Sequence, residues 1–136
     1  MARILCIDYG GKRTGLAVTD PFKIIATALT TVETKVLFDY LKQYLKAEEV
    51  ELVLIGEPKN WDESDTHATP LVKAFVKRMQ KEFPALPLKM VDERYTSKLA
   101  SQAMVQMGMK KKDRQKKGNI DQIAAAIMLQ EYLQNL

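Results

Sequence analysis

The chain has 136 residues, 46% hydrophobic and 28% charged, which is the balance of a globular protein. Its single cysteine excludes an internal disulfide framework, and no apolar run resembles a signal peptide or reaches the length of a membrane span, so one cytoplasmic domain over 1–136 is expected. The net charge of +4 is concentrated: residues 110–117 read KKKDRQKK, and the remainder carries 15 basic against 16 acidic residues.

Four apolar residues, Ile4 to Ile7, predict a strand over 2–8 that is buried on both faces and ends in Asp8. Gly10-Gly11-Lys12 supplies a turn, with glycines free to take positive φ. Arg13 to Thr19 reads as a second strand, Asp20-Pro21-Phe22 as a turn, and the Ile-, Thr- and Val-bearing run 23–32 as a third strand. Three strands joined by tight turns make an antiparallel meander.

Thr34 then opens an amphipathic helix with Val36, Leu37, Tyr40, Leu41, Tyr44 and Leu45 at helical spacing. Glu51 to Ile55 is a continuously apolar strand running into Gly56-Glu57-Pro58. Thr69 and Pro70 suit an N-cap and a first helical position, and a second helix runs to about Glu82, with Pro84 beyond its end. Leu86 to Val91 predicts a fifth strand leading into Asp92-Glu93-Arg94. Ser97 caps a helix over about 98–107, and a flexible basic loop follows at 110–118. Asn119 and Gln122 form a variant capping box for a closing Ala/Ile/Leu-rich helix. The element order requires parallel crossovers for the later strands. The expected architecture is α/β: a mixed five-stranded sheet, a three-strand antiparallel meander plus two parallel strands, flanked by helices.

Asp8 is the least comfortable residue of this layout. A carboxylate at the end of a central strand costs desolvation energy unless a hydrogen bond, a cation or a metal compensates it. Sites in open sheets form beyond the carboxyl ends of parallel strands, which gathers Asp8, Gly56-Glu57-Pro58 and Asp92-Glu93 along one edge. The closing helix carries Asp121 one turn before the small Ala124 and Ala125, which permits close approach while leaving room for ions. Clustered carboxylates repel one another, and hard divalent cations such as magnesium, with oxygen ligands, answer that repulsion. No His or Cys cluster competes for zinc. Each acid has a plainer reading: Asp121 complements a helix macrodipole, Asp92, Glu93 and Arg94 form a local ion-pair cluster, and Asp8 pairs with Arg13 across the first hairpin.

The run Asp8-Tyr9-Gly10-Gly11-Lys12-Arg13-Thr14-Gly15-Leu16-Ala17 resembles the D-x-G-x-x-R-x-G-x-A opening of the YqgF family. Asp92-Glu93-Arg94-Tyr95-Thr96-Ser97 is similar to that family's D-E-R-hydrophobic-T-[ST] motif, and Asp121 to Gln130 to its closing helix. Gly56-Glu57-Pro58 matches its G-x-P loop, although Ser64 and Asp65 stand near the place of a second glycine. The resemblance spans essentially the whole chain and implies a ribonuclease H-like fold. It implies a metal-dependent endonuclease maturing the 5′ end of the 16S ribosomal RNA precursor, with a relation to Holliday-junction resolvases. It matches Asp8, Glu93 and Asp121 to the family's acidic triad, with Asp92 the alternative to Glu93.

On this reading the triad holds one or two Mg2+ or Mn2+ ions. Arg13 and Arg94 neutralise the scissile phosphate, being suited to forked phosphate contacts. Lys110, Lys111, Lys112, Arg114, Lys116 and Lys117 hold the flanking backbone. The expected partners are structured RNA, most directly precursor ribosomal RNA and ribosomal particles, or else branched DNA, with no membrane. A resolvase requires a symmetric dimer, whereas an RNA endonuclease works as a monomer or a homodimer. A non-catalytic ribosome-assembly or nucleic-acid-binding factor is the remaining alternative.

Overall fold

A computed structural model of the protein describes residues 2–57, 69–92 and 117–134. Five strands, β1 (Arg3–Asp8), β2 (Arg13–Thr19), β3 (Ala26–Glu33), β4 (Val50–Glu57) and β5 (Leu88–Asp92), form one sheet in the order β3-β2-β1-β4-β5. β1 pairs antiparallel with β2, and β2 antiparallel with β3; β1 pairs parallel with β4, and β4 parallel with β5. The mixed sheet expected from the sequence is therefore present. The helices are α1 (Leu37–Ala47), preceded by a 3-10 turn at Thr34–Val36, α2 (Thr69–Glu82) and α3 (Lys117–Gln134). The helix expected at 98–107 lies outside the described residues.

Strand alternation divides the core in two. Leu5, Ile7, Leu16, Val18, Val53 and Ile55 face one side and bury Leu37, Phe38 and Leu41 of α1 with Val72, Phe75 and Met79 of α2. Ile4, Cys6, Ala17 and Leu54 face the other side, against Ala125, Met128 and Leu129 of α3. Cys6 is fully buried in that second layer, as expected of an inert thiol. Both faces of β1 are thus covered, which is why its sequence is continuously apolar rather than alternating.

Two expected boundaries move, each for a local reason. β3 begins at Ala26, not at residue 23, because the Asp20 carboxylate accepts the backbone N–H groups of Phe22 (3.1 Å), Ile24 (2.7 Å) and Ile25 (2.8 Å). This wraps 20–25 into a turn in which Lys23 has a φ of 60°. Asn119 and Gln122 do not cap α3, which starts earlier, at Lys117. Extending an existing helix needs no new nucleus, so α3 runs back through Gly118 despite that residue's cost of about 1 kcal/mol in a helix. Lys117 and Gly118 are therefore helical, and the rest of the expected basic loop, 110–116, lies outside the described residues.

Candidate nuclease site

Asp8 ends β1 at the parallel edge of the sheet. It has the same parity as Ile4 and Cys6, so it belongs to the face covered by α3. The next residue turns the other way: the Tyr9 ring stacks on Phe75 of α2 with centroids 4.4 Å apart. The chain is thereby gripped on the α2 side at the point where it leaves the core, while Asp8 stays half-buried on the opposite side.

Cross-strand register carries this position outward. Asp8 pairs with Gly15 of β2, and Gly15 with Thr31 of β3, so the three form one row across the sheet. Gly15 adds no side chain to it. At the end of the row the Thr31 hydroxyl donates to Gln122 Oε1 of α3 at 3.4 Å. Two turns further along the same helix, Gln130 Oε1 accepts the Ala26 N–H at 3.3 Å. These glutamines tie α3 antiparallel along the edge strand β3, with its N-terminal part at the level of Asp8. Asp121 is the neighbour of Gln122 in that part of the helix. Buried Ala124 and Ala125 hold the helix close to the sheet just beyond it.

Asp121 sits in the second turn of α3, not the first, and the first turn holds no acidic residue. A purely helix-capping role for Asp121 is weakened accordingly, because the macrodipole effect fades within the first turn. Asp92 ends β5 in register with Glu57 of β4, two strands from Asp8 on the same edge. Arg13 opens β2 at that edge, opposite Glu33. Glu93, Arg94, Lys110, Lys111, Lys112, Arg114 and Lys116 lie outside the described residues. Among the described residues, no three metal-ligating side chains gather.

The turn after Asp8 holds contacts that no sequence pattern indicates. Thr34 N–H donates to the Lys12 carbonyl at 2.9 Å, and the Thr34 hydroxyl to the Gly10 carbonyl at 2.6 Å. Gly10 is required by crowding, not by positive φ: a Cβ there would stand 2.3 Å from the Arg13 carbonyl oxygen. Nothing local announces Thr34, because its partners lie more than twenty residues away.

A mixed five-stranded sheet in this order, flanked by helices, is the ribonuclease H-like architecture. Two solved structures share it over nearly the full chain. A fowlpox virus resolvase bound to Holliday junction DNA superposes with a TM-score of 0.59 at 13% identity, over 98% of this chain and 97% of its own. RuvC of T. thermophilus with a Holliday junction substrate gives 0.58 at 16%, over 99% and 96%. Identity this low establishes the fold alone. The sequence matches the model of the RuvX family, described as Holliday junction resolvase, over residues 2–135, and the chain belongs to that family. Its relatives include proteins named "Putative pre-16S rRNA nuclease" from Christiangramia forsetii (50% identical, 98% of each chain) and Flavobacterium johnsoniae (52%, 98% of this chain and 96% of the relative). The chain is a nuclease of this family.

Proposed function

We propose that the chain is a metal-dependent endonuclease that cuts structured RNA and matures the 5′ end of the 16S ribosomal RNA precursor. The observation that carries this is the row Asp8–Gly15–Thr31 with Gln122 at its end, which sets the Asp121 segment of α3 at the level of Asp8. The name shared by the relatives at 50% and 52% identity supports a ribosomal RNA precursor as the substrate.

Asp8, Glu93 and Asp121 are the proposed ligands of one or two divalent ions, Mg2+ or Mn2+. The donors are oxygens only, which suits hard cations, and Cys6 on the same face is fully buried. Asp92 is the alternative to Glu93 within this set. Divalent ions supply charge stabilisation for the attacking and leaving oxygens of an in-line displacement. Arg13 and Arg94 orient and neutralise the scissile phosphate. Lys110, Lys111, Lys112, Arg114, Lys116 and Lys117 hold the backbone beside it, on RNA alone or within a ribosomal particle. Among the described residues no helix is long and apolar enough to cross a membrane, and action on ribosomal RNA belongs to the cytoplasm.

The description of the family as a Holliday junction resolvase supports a second reading, cleavage of branched DNA by a homodimer. One assay separates the two. A 5′-labelled precursor transcript and a four-way DNA junction are incubated with Mg2+ or Mn2+, with EDTA as control, using the wild-type protein and Asp8→Asn. The expected result is metal-dependent cutting of the transcript that Asp8→Asn abolishes with its circular dichroism unchanged. Undiminished cutting by Asp8→Asn would sink the site assignment, and cutting of the junction alone would favour the second reading.

A further inference from the structure

The edge of the sheet that carries Asp8 also carries a cavity of ≈ 480 Å³ lined by Gly11, Lys12, Arg13, Glu33 and Lys35. Its cations come from two distant parts of the chain, the β1–β2 turn and the β3–α1 junction. Thr34 joins those parts. Its N–H and hydroxyl both bond the turn, at the Lys12 and Gly10 carbonyls, so Lys35 is anchored one residue from the clasp. The Arg13–Glu33 register pair closes the side of the cavity. The backbone of this basic hollow is therefore built in advance, and only exposed lysine ends remain to move.

Its position relative to Asp8 is set by the sheet. Arg13 precedes Gly15, the register partner of Asp8, by two residues, and lies one strand over. At ~3.4 Å per residue and ~4.8 Å per strand, the hollow stands on the order of 8–10 Å from the Asp8 end of β1. A phosphate held there is not the one at the carboxylates but one further along the same strand. Three cations and one carboxylate line the hollow. That carboxylate is Glu33, which pairs with Lys35 at 3.3 Å while the two side chains are 66% and 79% exposed. An ion pair so exposed is weak and easily exchanged for another anion.

We propose that Lys12, Arg13 and Lys35 form a second phosphate subsite, which holds the RNA backbone beside the cut, and that Glu33 tunes its affinity by competing for Lys35. The subsite rests on the reading of the Asp8 edge as the nuclease site. Arg13 serves both places, whereas Lys12 and Lys35 serve the subsite alone.

The test is binding of a fluorescein-labelled RNA stem–loop in EDTA across a series of KCl concentrations, so that no cleavage intervenes. Lys12→Gln with Lys35→Gln is expected to weaken binding about tenfold at low salt and to reduce the slope of log affinity against log salt by about 1 to 2, one for each phosphate that no longer meets a lysine. Glu33→Gln is expected to tighten binding severalfold. All three side chains are exposed, so folding is not at stake. Unchanged affinity and slope in the double lysine variant would overturn the subsite, whether or not the wild-type protein cleaves. If binding shifts as expected but the wild-type protein cuts neither RNA nor DNA with metal present, the nuclease reading fails and the phosphate subsite stands.

Discussion

The hydroxyl of Thr34 donates to the carbonyl oxygen of Gly10 at 2.6 Å, across 24 residues of chain. That hydroxyl has one hydrogen, so the 2.9 Å contact between Thr14 Oγ1 and Thr34 Oγ1 must be donated by Thr14. The order of donation is Thr14 to Thr34 to Gly10, with Thr14 fully buried. This chain ties the start of β2 and the 3-10 turn to the segment immediately after Asp8.

Thr34→Val keeps the shape and removes both hydrogen bonds. The Gly10 carbonyl loses a donor and the buried Thr14 hydroxyl loses its acceptor. A loss of about 1–3 kcal/mol in stability is expected from urea denaturation. Thr34→Ser retains the hydroxyl and should stay within about 1 kcal/mol of wild type. Thr14→Val combined with Thr34→Val should cost less than the sum of the single changes, because no buried hydroxyl is then left without a partner. Additive losses would mean that the two threonines act separately.

Gly10→Ala probes the same turn sterically. The added Cβ would meet the Arg13 carbonyl oxygen at 2.3 Å, and a backbone atom cannot rotate away as a side chain can. The turn must open, which shifts both Asp8 and Arg13. Expected are a stability loss of about 1–3 kcal/mol and a larger proportional fall in cleavage, measured at a temperature where the variant is fully folded. Gly11→Ala is the control. Its Cβ would make only an ordinary 3.9 Å contact with Leu71 Cδ1, so stability and cleavage should hardly change.

What could be read from the residues, and what could not, follows from the range of the interactions. β2 runs over Arg13–Thr19 as expected, because its turns and β-prone residues are local signals. The discomfort of Asp8 is equally local: an acid after four apolar residues. Ile24 and Ile25 look like strand residues, yet their N–H groups bond Asp20, and that hydrogen bonding overrides β propensity. Gln122 reads as a capping residue until β3 is present to give it Thr31. The Thr34 clasp and the Lys12–Lys35 hollow need the hairpin register, which no window of sequence contains.

The Asp20 turn makes a prediction about pH. Hydrogen bonds from Ile25 first, then Ile24 and Phe22, hold the Asp20 carboxyl below its ordinary value of 3.8, outweighing a smaller opposing effect of burial. The folded value is depressed, so the stabilisation is complete above the unfolded value and is lost as pH falls through the folded one. Asp20→Ala should therefore destabilise the protein at pH 7, and the difference from wild type should shrink below pH 4. A gap that stays constant from pH 7 to pH 3 in denaturation experiments would rule out the ionised carboxylate as its source.

Ala125 tests whether the seat of α3 controls the site. It is fully buried in the layer formed by Ile4, Cys6, Ala17 and Leu54, where the helix approaches the sheet one turn beyond Asp121. Ala125→Leu adds three carbons where no space exists, and the helix must lift or rotate. Overpacking of this kind costs about 1–3 kcal/mol. Lifting α3 also stretches the 3.4 Å contact between Thr31 and Gln122, which moves the helix segment beside Asp8. Cleavage per folded molecule should then fall at least tenfold, accompanied by a higher metal concentration for half-maximal rate. Ala126→Ser, at a half-buried position of the same helix, should leave both quantities near wild type. If Ala125→Leu lowers stability while the metal dependence and the rate per folded molecule stay unchanged, the position of α3 does not govern the chemistry, and Asp121 has no part in it.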